Sequence, residues 1–312
     1  MHIALWTLLV ATAIAPAAPA QVPPAAPNGA KGKIFVGILD DAREEMVNWQ
    51  PGVSSQRFVR PAFEKTRSGW RNIVPDSLPA RMTWTVAFDG RDLGQIKCET
   101  GWSGYGPGRR GVPPKTLVQT IITPAAATPS VGAPSGKYAP MGMGPTKGRR
   151  PLVVVSAPNF GNPDGWKRVT PLPDSIAALV RLAFRRDFPH LSRCRDEAIV
   201  QRDWSFPDSE LKLPIAYASN KNSFLVESDL NAGNCGYVDD PNDPLSDPWF
   251  FVSANGTVRR LGGFLTLLDA GDYDNDGKSE LIFLLSQPEA TEGFLLYDAD
   301  LRKQASLIWN YH

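Results

Sequence analysis

Residues 272–280 read Asp-Tyr-Asp-Asn-Asp-Gly-Lys-Ser-Glu, and this stretch restricts the fold more than any other. Asp272, Asp274, Asp276 and Glu280 crowd four carboxylates into nine residues, with Lys278 as the one local cation. Like charges at such range repel, so a compact loop here calls for a counter-charge. Apolar runs bound the segment: Phe264-Leu265-Thr266-Leu267-Leu268 before it and Leu281-Ile282-Phe283-Leu284-Leu285 after it. Short runs of this kind predict two strands, and the acidic stretch is then the connection between them.

The spacing suits a hard divalent cation, Ca²⁺ first of all. Calcium takes six to eight oxygen ligands, and alternating carboxylates supply them when a loop wraps the ion. Asp272, Asp274, Asp276 and Glu280 are the expected carboxylate donors, and the Lys278 carbonyl the expected backbone donor. Gly277 tolerates the positive φ that the sharp turn needs. An EF-hand places a bidentate Glu at loop position twelve, between helices. Position twelve here is Phe283, which cannot ligate. A plain solvated acidic turn is the alternative; three alternating Asp, then Gly, then an acid, all between two apolar strands, is a more specific pattern.

The pattern Asp272-x-Asp274-x-Asp276-Gly277-x-x-Glu280 resembles the FG-GAP or VCBS-type repeat of integrin-like β-propellers. In that family D-x-D-x-D-G-x-x-D/E joins two strands of a blade. The resemblance covers roughly residues 263–311, with Gly293-Phe294-Leu295-Leu296-Tyr297 as a further strand. It implies a propeller-blade-like antiparallel sheet and structural calcium binding in an exported or adhesive protein. The family carries several such repeats, whereas this chain has one clear copy; Asp89-Gly90 and Asp164-Gly165 lack the preceding acids. A complete propeller of calcium repeats is not expected. The wider chain is similar to uncharacterised exported bacterial proteins that end in such a loop and an aromatic-His terminus, here Trp309-Asn310-Tyr311-His312, and that likeness implies no function.

Residues 1–20 read as a cleaved secretory signal: Ile3–Ala15 is apolar, and Ala18-Pro19-Ala20 offers a small-x-small cleavage site. The n-region has His2 but neither Lys nor Arg, so an uncleaved anchor is the alternative. The expected location is secreted or periplasmic, with no membrane span after cleavage. Three Cys follow, Cys98, Cys194 and Cys235. Cys194 with Cys235 is the preferred disulfide, since both lie in the C-terminal half near turn-rich sequence; buried free thiols are the alternative.

A chain of 312 residues can bury a large core. Its net charge of +1 gives no general attraction to nucleic acid. Frequent Pro and Gly with many aromatics predict short strands joined by turns, hence a mainly β fold with one or two helices; α+β is the alternative. Residues 21–32 form a Pro/Ala-rich leader. An N-terminal β-rich part spans 33–149 and contains a long Gly/Pro-rich loop at 101–148, with one strand at Thr116–Ile122. A C-terminal β-rich part spans 150–312. Lys33–Leu39 reads as the first strand, with Asp40, Asp41, Glu44 and Glu45 as the acidic first turn of a helix. Met82–Phe88 and Leu93–Cys98 flank Asp89-Gly90 as a hairpin. Asp174–Arg186 is the best helix, capped by Asp174 or Ser175. Further strands are expected near 212–218, 223–229, 248–253, 257–268, 280–286, 293–298 and 305–311, with Asn255-Gly256 as a hairpin turn.

Catalysis is the weaker reading. After the signal only His190 and His312 remain. Gly101-Trp102-Ser103-Gly104-Tyr105 fails the G-x-S-x-G elbow at its fifth position. Trp49, Trp70, Trp102 and Trp204 could stack on a glycan, but in a β-rich protein they fit the core better. The sequence thus favours an exported calcium-binding structural or interaction protein, with an extracellular or envelope protein or a glycan as partner. The alternative is a secreted or periplasmic carboxylate-based hydrolase in which calcium is structural.

Overall fold

The computed structural model describes residues 33–41, 57–74, 78–100, 119–131, 151–157, 160–235, 238, 240–287 and 291–310. The expected signal and leader, Glu44, Glu45, Trp49, Trp102, Tyr311, His312 and most of the 101–148 loop lie outside them.

Strand β1 (Ile34–Asp41) pairs with β2 (Arg57–Thr66) along its whole length. Its other edge pairs with β7 (Leu152–Val155). From β7 the antiparallel order runs through β4 (Arg81–Phe88), β5 (Arg91–Thr100) and β6 (Gln119–Ile121) back to β2. Six strands therefore close on themselves, which removes free edges. The short β3 (Gly69–Asn72) adds to the end of β2. This first sheet draws strands from both sides of residue 150, because β7 sits between β1 and β4.

Alternation explains how one set of strands serves two cores. Phe35, Leu39, Trp84, Val86, Ile96, Cys98, Leu152 and Val154 pack together as one cluster. Their neighbours Val36, Ile38, Val153 and Val155 join a second cluster with Leu268, Ile282, Phe294 and Leu296. Those last residues belong to a four-stranded antiparallel sheet of β15 (Leu265–Gly271), β16 (Glu280–Ser286), β17 (Thr291–Tyr297) and β18 (Lys303–Asn310), in sequence order. The other face of this sheet packs Leu281, Phe283, Leu285, Leu295 and Tyr297 against Leu225 and Trp249. Both faces are covered, which is why residues 281–285 are apolar without alternation.

Leu225 and Trp249 come from a five-stranded sheet ordered β14 (Val258–Gly262), β13 (Trp249–Val252), β12 (Phe224–Leu230), β11 (Leu211–Ala218) and β8 (Lys167–Arg168). Helix α1 (Asp174–Asp187) covers this sheet's far side, burying Ala177, Val180, Ala183 and Phe184 in a cluster with Val226 and Phe250. Strands β9 (Arg193–Arg195) and β10 (Ala198–Gln201) form a separate hairpin. The fold is mainly β, with several antiparallel sheets and one α-helix among the described residues. Among those residues no propeller is identified; the four-stranded sheet lies between a closed six-strand layer and the five-stranded sheet.

Three expectations need correction. Residues 257–268 are two strands in different sheets, not one. The chain turns at Gly263 and Phe264, whose N–H groups donate to Pro241 O (2.8 Å) and Ser246 O (2.7 Å). A Cβ on Gly263 would fall 1.8 Å from Ser246 Oγ, so only glycine fits that approach. Asp40 and Asp41 are strand residues that continue β1, opposite Phe58 and Arg57, rather than residues of a helical first turn. Helix α1 starts after Pro173, with no side-chain cap from Asp174 or Ser175; proline at this boundary presets φ and leaves no N–H to satisfy.

Candidate metal centre

The acidic stretch connects β15 to β16, as the flanking apolar runs predict. Its own amides turn the carboxylates inward. Asp276 N–H donates to Asp272 Oδ1 at 2.9 Å and to Asp274 Oδ1 at 3.2 Å. Gly277 N–H donates to Asp272 Oδ2 at 2.9 Å, and Lys278 N–H to Asp276 Oδ1 at 2.9 Å. Asn275 and Gly277 take positive φ values of 59° and 86°, which fold the loop back on itself. One oxygen from each of Asp272, Asp274 and Asp276 lies within 4.8 Å of the others. That group could hold a metal ion.

Electrostatics sharpen the point. Burial raises the Asp272 carboxyl, hydrogen bonds from Gly277 and Asp276 oppose the rise, and the Asp274 and Asp276 charges add to it. Glu280 lies outside the three-oxygen group, at the start of β16, where it is buried. Its Oε2 accepts the Tyr273 N–H at 2.9 Å. Burial first, and then the Asp274 charge, push this carboxyl up to about 8. Lys278 is exposed, and its amide serves Asp276.

Residues remote in sequence from the motif also hold the loop. Lys65 on β2 forms an ion pair with Asp274. Asp164, which is buried, accepts the Ser279 N–H at 2.9 Å through Oδ2 and donates its own N–H to Ser279 Oγ at 3.2 Å. Ser279 Oγ in turn donates to Asn162 Oδ1 at 3.0 Å, and Lys221 forms an ion pair with Asp164. Asp272 N–H donates to Gly161 O at 2.8 Å. The Phe160 ring stacks on Tyr273 at 5.5 Å, and a Cβ on Gly271 would lie 1.9 Å from it. The Asp164-Gly165 and Asp89-Gly90 pairs are not calcium repeats, yet both reach this region: Gly90 N–H donates to Asp269 Oδ1 at 3.0 Å, and Tyr273 OH to Asp269 Oδ2 at 3.2 Å. No local signal in the sequence connects Lys65 or Asp164 with residues 272–280.

The donor set fits a hard cation. All three converging groups are carboxylates, as calcium prefers. Asp274 Oδ2 is buried and already faces a cation, the Lys65 ammonium, so this position is set up for positive charge.

The remaining sequence candidates separate cleanly. Cys194 and Cys235 form a disulfide, with Cα atoms 4.8 Å apart, and Cys98 is a buried free thiol. Trp70 and Trp204 are buried in separate core clusters. His190 pairs with Asp203 at 3.1 Å in an exposed contact. Among the described residues no helix is long and apolar enough to cross a membrane. No family model, curated protein or solved structure matches the chain.

Proposed function

We propose that the chain is an exported calcium-binding structural or interaction protein. Its β15–β16 unit is an FG-GAP-like strand–loop–strand, and the four-stranded sheet around it is a single blade-like element. Asp272, Asp274 and Asp276 hold the ion, with the Glu280 carboxylate and the Lys278 carbonyl as further donors. One observation carries the reading: three carboxylate oxygens converge within 4.8 Å on a loop whose backbone is already organised to point them inward. The apolar start of the chain and the Cys194–Cys235 bond support export, since disulfides persist in oxidising compartments. The partner is an extracellular or envelope protein or a glycan.

A bound Ca²⁺ would supply charge to offset the converging acids and tie β15 to β16. Extracellular modules bind calcium with Kd values of about 10⁻⁴–10⁻³ M. Calorimetric titration of the mature protein with CaCl₂ is expected to fit one site in that range. Asp274→Ala is expected to abolish the heat while the far-ultraviolet circular dichroism stays β-type. Undiminished heat in that variant contradicts the assignment.

A further inference from the structure

The clearest charge brought to the acidic loop from elsewhere is a lysine of the closed sheet. Lys65 lies near the end of β2, opposite Ile34 on β1 and Trp70 on β3. Its ammonium meets Asp274, whose side chain is only 4% exposed, while the Lys65 side chain is 32% exposed. The same ammonium lies 5.2 Å from the centre of the Trp70 ring.

We propose that Lys65 is a tethered competitor for the cation position, so that Lys65 and a bound Ca²⁺ engage Asp274 in turn. This rests on the calcium reading above. Asp274 Oδ1 already accepts the Asp276 N–H, and its Oδ2 faces the ammonium. An incoming divalent ion that uses Asp274 must displace the ammonium or bear its repulsion at short range. Displacement needs no movement of β2. The long lysine stem is flexible, and the Trp70 face retains the charge through a cation–π contact when the carboxylate is taken.

The arrangement couples the loop to the barrel wall. With Lys65 engaged, an ionic contact links β2 to the β15–β16 loop. With calcium bound that contact opens, while the Asp164–Ser279 and Gly161–Asp272 hydrogen bonds still hold the other side of the loop. Cation occupancy thereby changes the charge presented beside Trp70, and linkage requires that whatever captures the Lys65 ammonium strengthens calcium binding equally.

Calcium titrations of the wild-type protein, Lys65→Met and Lys65→Arg test this. Losing the competing charge is expected to tighten calcium binding about fivefold or more in Lys65→Met, with Lys65→Arg staying nearer the wild type. Heat that appears only in Lys65→Met supports the proposal as well. An unchanged or weaker Kd in Lys65→Met, with normal heat in the wild type, overturns the competitor and leaves the calcium reading standing. Absence of heat in all three proteins removes both. A wild-type measurement guards against a variant that fails to fold: labelling of Lys65 by an N-hydroxysuccinimide ester, followed by mass spectrometry, is expected to rise when CaCl₂ is added. Constant or reduced labelling overturns the proposal.

Discussion

Two regions of this molecule are closed by different physics. Near α1, the chain from β9 to Cys235 is closed covalently, by a bond spanning 41 residues beside an aromatic cluster of Phe184, Phe188, Trp204 and Phe206. At the other site, the β15–β16 loop is closed by backbone amides, by Lys65 and by the Asp164–Ser279 contact, and it leaves three carboxylates converging. The covalent closure restricts the unfolded chain whatever the salt or metal content. On the proposed calcium reading, the ionic closure depends on what cation is present. One region is therefore permanently tied, and the other is conditional.

The widest effect should come from the layer between them. Phe283 is buried between the four- and five-stranded sheets, with Trp249 and Tyr297 rings at 5.6 Å and 5.4 Å. Phe283→Ala is expected to cost about 3–5 kcal/mol in chemical denaturation, through lost transfer energy and a cavity. If the two regions unfold together, both disulfide protection and calcium heat are lost in one transition. Next comes the covalent closure. Cys194→Ser with Cys235→Ser should cost about 3–4 kcal/mol for a loop of this length, less any strain relieved. Its calcium Kd is expected to stay at the wild-type value; a large shift in Kd would join two regions that the comparison separates.

Calcium is expected to have a smaller effect on the fold. At free calcium of about one to ten times Kd, linkage gives about 0.4–1.4 kcal/mol. Scanning calorimetry should show a melting temperature raised by roughly 1–4 °C, reversed by chelator and unaffected by reductant-free buffer exchange alone. No rise on adding calcium would make the loop as unconditional as the disulfide.

The smallest effect at neutral pH belongs to Cys98. Burial pushes its thiol from the ordinary 9.0 up to about 12. The folded state thus favours the protonated thiol. Its contribution is fully present below about pH 9 and declines as pH rises from there through about 12, because the unfolded thiol ionises first. Native protein should resist iodoacetamide at pH 8 and react once denaturant is added, with mass spectrometry as the readout. Rapid native labelling would show that the barrel interior opens.

How much of this was readable beforehand depends on sequence range. The hairpin at Asp89-Gly90 is legible because both residues take positive φ, 48° and 68°, in a two-residue turn. Helix α1 is legible from its apolar spacing and ends within one residue of the expected Arg186. The 272–280 loop is legible because its acids are contiguous. Strand β2 was not, since Arg57, Arg60, Glu64 and Lys65 interrupt its pattern; most of those charges are buried by pairing from both sides, which alternation alone does not reveal. The split of residues 257–268 depends on Ser246 and Pro241, which approach from outside the segment. Lys65 and Asp164 carry no sequence signal for the same reason: the closed sheet and the 160–166 segment bring them to the loop, and no spacing rule connects them with it. Local chemistry was visible, and its distant supports were not.

The central claim is that the acidic connection between β15 and β16 encloses a calcium ion. The most direct measurement is a crystal structure from millimolar CaCl₂, with anomalous scattering to identify the ion. The account predicts one peak among Asp272, Asp274 and Asp276, with oxygen distances of about 2.3–2.6 Å. Well-ordered carboxylates around no anomalous peak, with Lys65 still against Asp274, would contradict it.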